Sequence, residues 1–210
     1  MNCGHFSDDT GNCFLCDEVI DRQGLSSLVE LFPACTQHIL AETAELVLLR
    51  DISPIVPGHC LIVTKVHMCS FAQAYDKLWD ELAWMKQTAI DMLGRNGKSL
   101  FFFEHGASPM TPAVGCIAHA HLHVIPLAVD VARHLALVAP HPLEVALIDM
   151  KSTLPRNGSD YLYYEDMHAK GCIVIDPKKP LPRQFIRVVV AQEIGLTEWD
   201  WTALLIRRVQ

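Results

Sequence analysis

Three histidines alternate with apolar residues in His119-Ala120-His121-Leu122-His123-Val124-Ile125, and this pattern leaves the chain little freedom there. In an extended strand, side chains alternate between faces with a period of two, so positions 119, 121 and 123 share one face. Ala120, Leu122 and Val124 then point the other way, into a core. Neighbouring imidazoles in such a row stand about 7 Å apart, close enough to act on one small ligand from a half-buried, rigid element.

The surroundings of that strand suggest an α+β chain. Leu46-Val47-Leu48-Leu49-Arg50 and Cys60-Leu61-Ile62-Val63-Thr64 read as strands, preceded by a weaker one at 37–41. Asp51 opens the loop between the two strong runs, where two prolines and Gly58 enforce a turn; a residue there is most often a turn or capping residue. Ser70 is a candidate N-cap for a long helix to Leu93 with Leu78, Leu82, Met85 and Ala89 on one stripe, closed by Gly94 or Gly97. Trp79 and Trp84 take core or interface roles. Leu100 to Gly106 reads as another buried strand. Short connections favour an antiparallel sheet of about five strands. Beyond Pro126, helices are expected over 129–139 and 142–150, a strand pair over 161–165 and 172–175, and a helix from Pro182 closed by Gly195. Residues 1–128 read as one core built around the histidine strand, and 129–210 as a C-terminal extension packed on it rather than an independent domain.

Charge and cysteine usage narrow the function. With 24 acidic against 17 basic side chains, the chain lacks the positive surface that duplex binding needs, so no nucleic-acid partner is expected. No run of eighteen apolar residues or signal-peptide pattern occurs, which suggests a cytoplasmic protein without a membrane partner. In that compartment the eight cysteines stay reduced and pairs more often bind metal than form disulfides. Cys13-Phe14-Leu15-Cys16 is half of a zinc site or, alone, two small buried residues. His67, after the third strand, is ordinary surface or a further ligand. Neutral imidazole is both a competent nucleophile and a proton carrier near neutral pH, the two abilities that attack on phosphorus needs. The rival readings of the row are a metal site and three solvated histidines.

The triad His119-Ala120-His121-Leu122-His123-Val124-Ile125 resembles the signature of the histidine-triad (HIT) family. The block from Leu48 through Pro57-Gly58-His59-Cys60 to His67 is similar to that family's loop and strand. The resemblance spans residues 13 to 126, and the Phe103-Glu104-His105-Gly106 run and the tail resemble longer, zinc-containing bacterial-type members. It implies a HIT-like fold and a hydrolase cleaving a nucleoside phosphoramidate or dinucleoside polyphosphate of adenine or guanine type. In that reading His121 attacks the α-phosphorus and becomes covalently nucleotidylated, and His123 hydrogen-bonds the transferring phosphate. Asp51 matches the acidic residue that binds ribose hydroxyls. Gly115 and Cys116 occupy the turn whose backbone N–H groups approach the phosphate; Cys116 stands where better-known members carry serine. The resemblance also implies a structural zinc on Cys13, Cys16, His67 and His119, and a homodimer. Arg183, Gln184 and Arg187 are candidates for a distal phosphate, or else part of a solvated helix face. The alternatives are a nucleotidyltransferase or phosphorylase, a zinc-stabilised nucleotide-binding module without catalysis, and a metal site built from all three triad histidines.

Overall fold

The structure is a computed structural model that describes residues 13–16, 19, 38–95, 98–106, 117–178, 181–201 and 203–204. One antiparallel sheet organises it. Its strands are β1 (Ile39–Glu42), β2 (Leu46–Arg50), β3 (Cys60–Thr64), β4 (Phe101–Gly106), β5 (His121–Ile125), β6 (Ala146–Leu147), β7 (Tyr161–Asp166) and β8 (Lys170–Ile175). They lie in the order β1-β2-β3-β5-β4-β7-β8-β6. The expected sheet of about five strands is thus an eight-stranded one, because the C-terminal strands continue it. The register of β7 on β4, from Phe101 opposite Asp166 to Gly106 opposite Tyr161, joins the two parts of the chain through backbone hydrogen bonds.

Period-two patterning decides what each face meets. Leu46, Leu48, Cys60, Ile62, Phe102, Ala120, Leu122, Val124, Tyr161 and Tyr163 share one face. Over it lies the helix α2 (Asp76–Leu93), which follows the short α1 (Phe14–Cys16) in the chain and buries Leu78, Trp79, Leu82, Met85 and Ala89. Each such large aliphatic side chain contributes about 1.5–3 kcal/mol on burial. Trp79 joins this core, whereas Trp84 is exposed.

The opposite face is covered in two pieces. Cys13, Leu15 and Val19 pack on Val47, Leu49, Leu61 and Val63. At the other end, α3 (Val131–Val138) and α5 (Phe185–Ile194) pack on Phe101, Phe103, Leu162, Cys172 and Val174. Between these two coverings the described residues leave the sheet open.

Three local expectations change. Ser70 caps no side-chain bond; it precedes a 3-10 turn at Phe71–Gln73, and α2 begins only after Tyr75. The reason is tertiary: the Phe71 N–H donates to Glu104 Oε1 at 2.9 Å and the Ala72 N–H to the Tyr161 hydroxyl at 3.3 Å. The helix expected over 142–150 is replaced by β6 and the four-residue α4 (Met150–Thr153), capped by Asp149 accepting from the Ser152 N–H. There the backbone pairs with β8 instead of itself, Ala146 opposite Gly171. Finally, Cys13, Cys16, Cys60 and Cys172 are not disulfide-bonded, but Cys69 is, against the expectation of reduced thiols.

Candidate functional site

The open stretch of sheet holds the histidines. β5 pairs with β3 on one side and β4 on the other, so His123 lies between Leu61 and Phe103, and His121 opposite Val63. His119 precedes the strand but keeps the alternation, and is 1% exposed. The row expected from the sequence therefore forms, and it divides at once into two neighbourhoods.

The first is a Cys2His2 cluster. Cys13, Cys16, His67 and His119 bring one ligand atom each to within 4.8 Å of the others. The His119 Nδ1 lies 3.4 Å from both thiols, and the His67 Nδ1 lies 3.2 Å from Cys16 Sγ. Tetrahedral zinc, with bonds of about 2.0–2.3 Å, sets N and S ligands roughly 3.6 Å apart, so these separations suit a metal of that size. The other nitrogen of His119 supports this. Its Nε2 is 2.7 Å from the Thr64 carbonyl, an acceptor, so Nε2 carries the ring proton and Nδ1 presents a lone pair to the thiols. Burial holds the His119 pKa down at about 4, which keeps the ring neutral as a ligand must be.

The second neighbourhood faces the gap. His121 Nδ1 lies 2.6 Å from the His119 carbonyl. A carbonyl only accepts, so the proton sits on Nδ1 and Nε2 is a bare lone pair. Burial lowers the His121 pKa, against the raising effects of that carbonyl and of Asp51, and favours the nucleophilic neutral ring. His123 Nδ1 is 2.9 Å from His59 Nε2, and His59 is 1% exposed at the start of β3. Gly58, at φ +89°, makes the turn that delivers His59, in a conformation that L side chains avoid. Burial holds both His59 and His123 well below the usual 6.5.

Behind His59 lies Asp51. Its Oδ1 accepts from the Ser53 N–H at 2.7 Å, the turn role expected for it, while Oδ2 lies 3.4 Å from His59 Nδ1 and 3.5 Å from the Arg187 guanidinium. Asp51, His59 and His123 also lie close enough together for a metal. The guanidinium beside the carboxylate already supplies the countercharge, and a 2.9 Å nitrogen-to-nitrogen contact is a hydrogen bond, shorter than the roughly 3.3 Å between two ligands of one tetrahedral zinc. The triad histidines thus do not share one metal site: His119 alone of them joins the Cys2His2 cluster.

Arg187 corrects an expectation. It is not on a solvated face: it is 3% exposed, and besides Asp51 it donates to the carbonyls of Ser53 at 2.7 Å and Trp199 at 2.8 Å. Gln184 is likewise engaged, bonding Asp200 and the Trp201 N–H, while Arg183 is exposed. Gly115 and Cys116 lie outside the described residues. Sequence reading assigned no role to His59, although its position one residue before β3, whose Leu61 pairs with His123, is the signal that could have found it.

Among the described residues a pocket opens over His121 and His123. Leu49, Leu61, Phe103 and Ile117 wall it from the core, and Phe185, Ile186 and Trp201 from the C-terminal part; Asp51, Gln184 and Arg187 add polar edges. A mostly apolar cleft with a few convergent polar groups suits a flat organic group held beside a reacting centre.

Among solved structures the chain is similar to a HIT family hydrolase from Clostridium thermocellum, at 19% identity over 57% of this chain and 92% of that one, with a TM-score of 0.40. It is also similar to a HIT family protein from Bacillus anthracis, at 19% identity over 57% and 75%, TM-score 0.43, and to yeast Ap4A phosphorylase, at 13% over 74% and 66%, TM-score 0.45. No curated protein matches the sequence. The family model described as proteins similar to the CwfJ C-terminal matches residues 9–139, more than half of the sequence and all of the site contributed by β2, β3 and β5, and the chain belongs to that family.

Proposed function

We propose that the chain is a HIT-type nucleotide hydrolase acting on a nucleoside phosphoramidate or a dinucleoside polyphosphate. The observation that carries this reading is the His121 ring, whose proton is held on Nδ1 by the His119 carbonyl at 2.6 Å while the residue lines an apolar pocket. The bare Nε2 attacks the α-phosphorus, a P–N bond to His121 forms, and the bond to the leaving group breaks. The second ring, His123, donates a hydrogen bond to the phosphate oxygen or to the departing atom. Water then cleaves the P–N bond, releasing the nucleotide and restoring His121. The base lies against the apolar walls and the Asp51 carboxylate accepts from ribose hydroxyls. Zinc is the metal that Cys13, Cys16, His67 and His119 fit; when bound it fastens the N-terminal segment and the start of β5, and four protein ligands leave it no open position.

The test is a screen of adenosine and guanosine phosphoramidates and dinucleoside polyphosphates with wild type and His121→Ala, followed by rapid quench on any substrate found. A trapped nucleotidyl adduct in wild type, and retained nucleotide binding without turnover in the variant, are expected. Equal turnover in the two proteins sinks the reading. Inorganic phosphate in the same assay separates the rival transfer chemistry, because a nucleoside diphosphate product would identify a phosphorylase. Stoichiometric binding with no product over hours would identify a non-catalytic module.

A further inference from the structure

The pair His59–His123 can be protonated in two ways, and the two are chemically opposite. If the His59 proton is on Nε2, it donates to His123 Nδ1, and His123 keeps its own proton on Nε2. If the His59 proton is on Nδ1, it points at Asp51, and His59 Nε2 accepts from His123 Nδ1–H. In that second arrangement His123 presents a bare lone pair to whatever occupies the pocket, and it repels a phosphate oxygen instead of binding it.

A lone carboxylate 3.4 Å from His59 Nδ1 would favour the second arrangement, since hydrogen bonds to a charged acceptor are the stronger kind. Two observations oppose it. The Ile55 N–H donates to His59 Nδ1 at 3.4 Å, which requires a lone pair there. Both oxygens of Asp51 are also drawn elsewhere, Oδ1 by the Ser53 N–H and Oδ2 by the Arg187 guanidinium. Arg187 is itself fixed, through Ser53 and Trp199, and the Ser53 hydroxyl donates to the Trp201 carbonyl at 2.8 Å. The cation therefore belongs to a buried framework and not to a mobile surface side chain.

We propose that Arg187 is a positioning residue: by holding the Asp51 carboxylate it keeps the His59 proton on Nε2, so that His123 carries its proton on the nitrogen left for the pocket. The C-terminal helix α5 thereby sets the polarity of a hydrogen-bond chain whose other members come from β2, β3 and β5. The catalytic consequence rests on the hydrolase reading; the proton placement does not. The same guanidinium also pushes the His59 pKa down, after burial as the main cause, which keeps the relay neutral.

Imidazole nitrogen NMR of the full chain near neutral pH reads the placement directly. In wild type, His59 and His123 should both show Nε2–H, and His121 should show Nδ1–H. In Arg187→Met, His59 and His123 should both switch to Nδ1–H, and any turnover number should fall about 10²-fold, the usual loss for one preorganised donor. Adding Asp51→Asn to Arg187→Met removes the uncompensated charge and should restore the wild-type pattern, which a merely structural role of Arg187 does not predict. Arg187→Lys keeps a cation and should keep the pattern, and it decides the matter together with wild type if Arg187→Met does not fold. Reversed tautomers in wild type, an unchanged pattern in Arg187→Met, no restoration by Asp51→Asn, or a switch in Arg187→Lys would each overturn the proposal. Absence of turnover in wild type would count against the hydrolase reading alone, since the tautomers are read without substrate.

Discussion

His119, just before β5, and His123, within it, lie four residues apart in one alternating row, and the structure gives them different surroundings. His119 looks into two thiols and a second imidazole, with its far nitrogen fixed by the Thr64 carbonyl. His123 looks into another imidazole backed by a carboxylate and a guanidinium. Soft, deprotonatable partners turn an imidazole into a ligand, whereas a protonated ring nitrogen next door turns it into a donor. Between them His121 is bonded to the backbone of His119, so under the proposed function the attacking ring is aimed by the residue that sits against the two thiols.

The largest effect should come from the residue between the two environments. His121→Ala is expected to lower turnover by about 10⁴-fold or more in steady-state assays while elemental analysis finds the metal content unchanged; loss of metal in this variant would break the division. His119→Ala should do the reverse, losing the metal and, through loss of that anchor, about 3 kcal/mol of stability in denaturant titrations. Chelation of wild type should expose the segment around Cys13 to protease before it affects nucleotide binding. His59→Phe should cost about 10²-fold in turnover with metal content and stability near wild type, which would place His59 in the second environment and not the first. Equal loss of metal in His59→Phe would show that the two clusters are coupled.

On the dry face of the sheet, under α2, the expected effect is confined to the pH dependence of stability. Glu104 is buried there, accepting from the Phe71 N–H and the Tyr161 hydroxyl, and burial pushes its pKa up from 4.5 to about 8. A carboxyl raised on folding stabilises the fold at low pH and loses that contribution as pH rises towards the folded value. Stability should therefore decline between about 4.5 and about 8, at about 1.4 kcal/mol per pH unit from this group. In Glu104→Gln that part of the slope should vanish in melts across the same range, with catalysis and metal unaffected.

Much of this was readable from residues alone where the physics is local. The alternation from His119 to Val124 assigned faces correctly, because side-chain direction in a strand has a fixed period, and the runs Leu46–Arg50 and Cys60–Thr64 formed the strands expected of them. Gly195 ended its helix as expected, and of the two glycines offered for the long helix, Gly94 ended it. The errors came where a distant partner took over a backbone group. Ser70 lost its capping role to Glu104 and Tyr161, and residues 146–147 became strand because β8 offered an edge. The acidic residue in the turn was found, but not the arginine 136 residues later that lies against it.

The sequence by itself determined that His119, His121 and His123 share one face and that Ala120, Leu122 and Val124 fill the other, since both follow from strand geometry. Only the tertiary structure decided what each ring faces: two thiols and a second imidazole for His119, an apolar pocket for His121, and His59 backed by Asp51 and Arg187 for His123. The Thr64 carbonyl, His59 and the Asp51–Arg187 pair come from distant parts of the chain, and folding alone brings them within hydrogen-bond reach of the row.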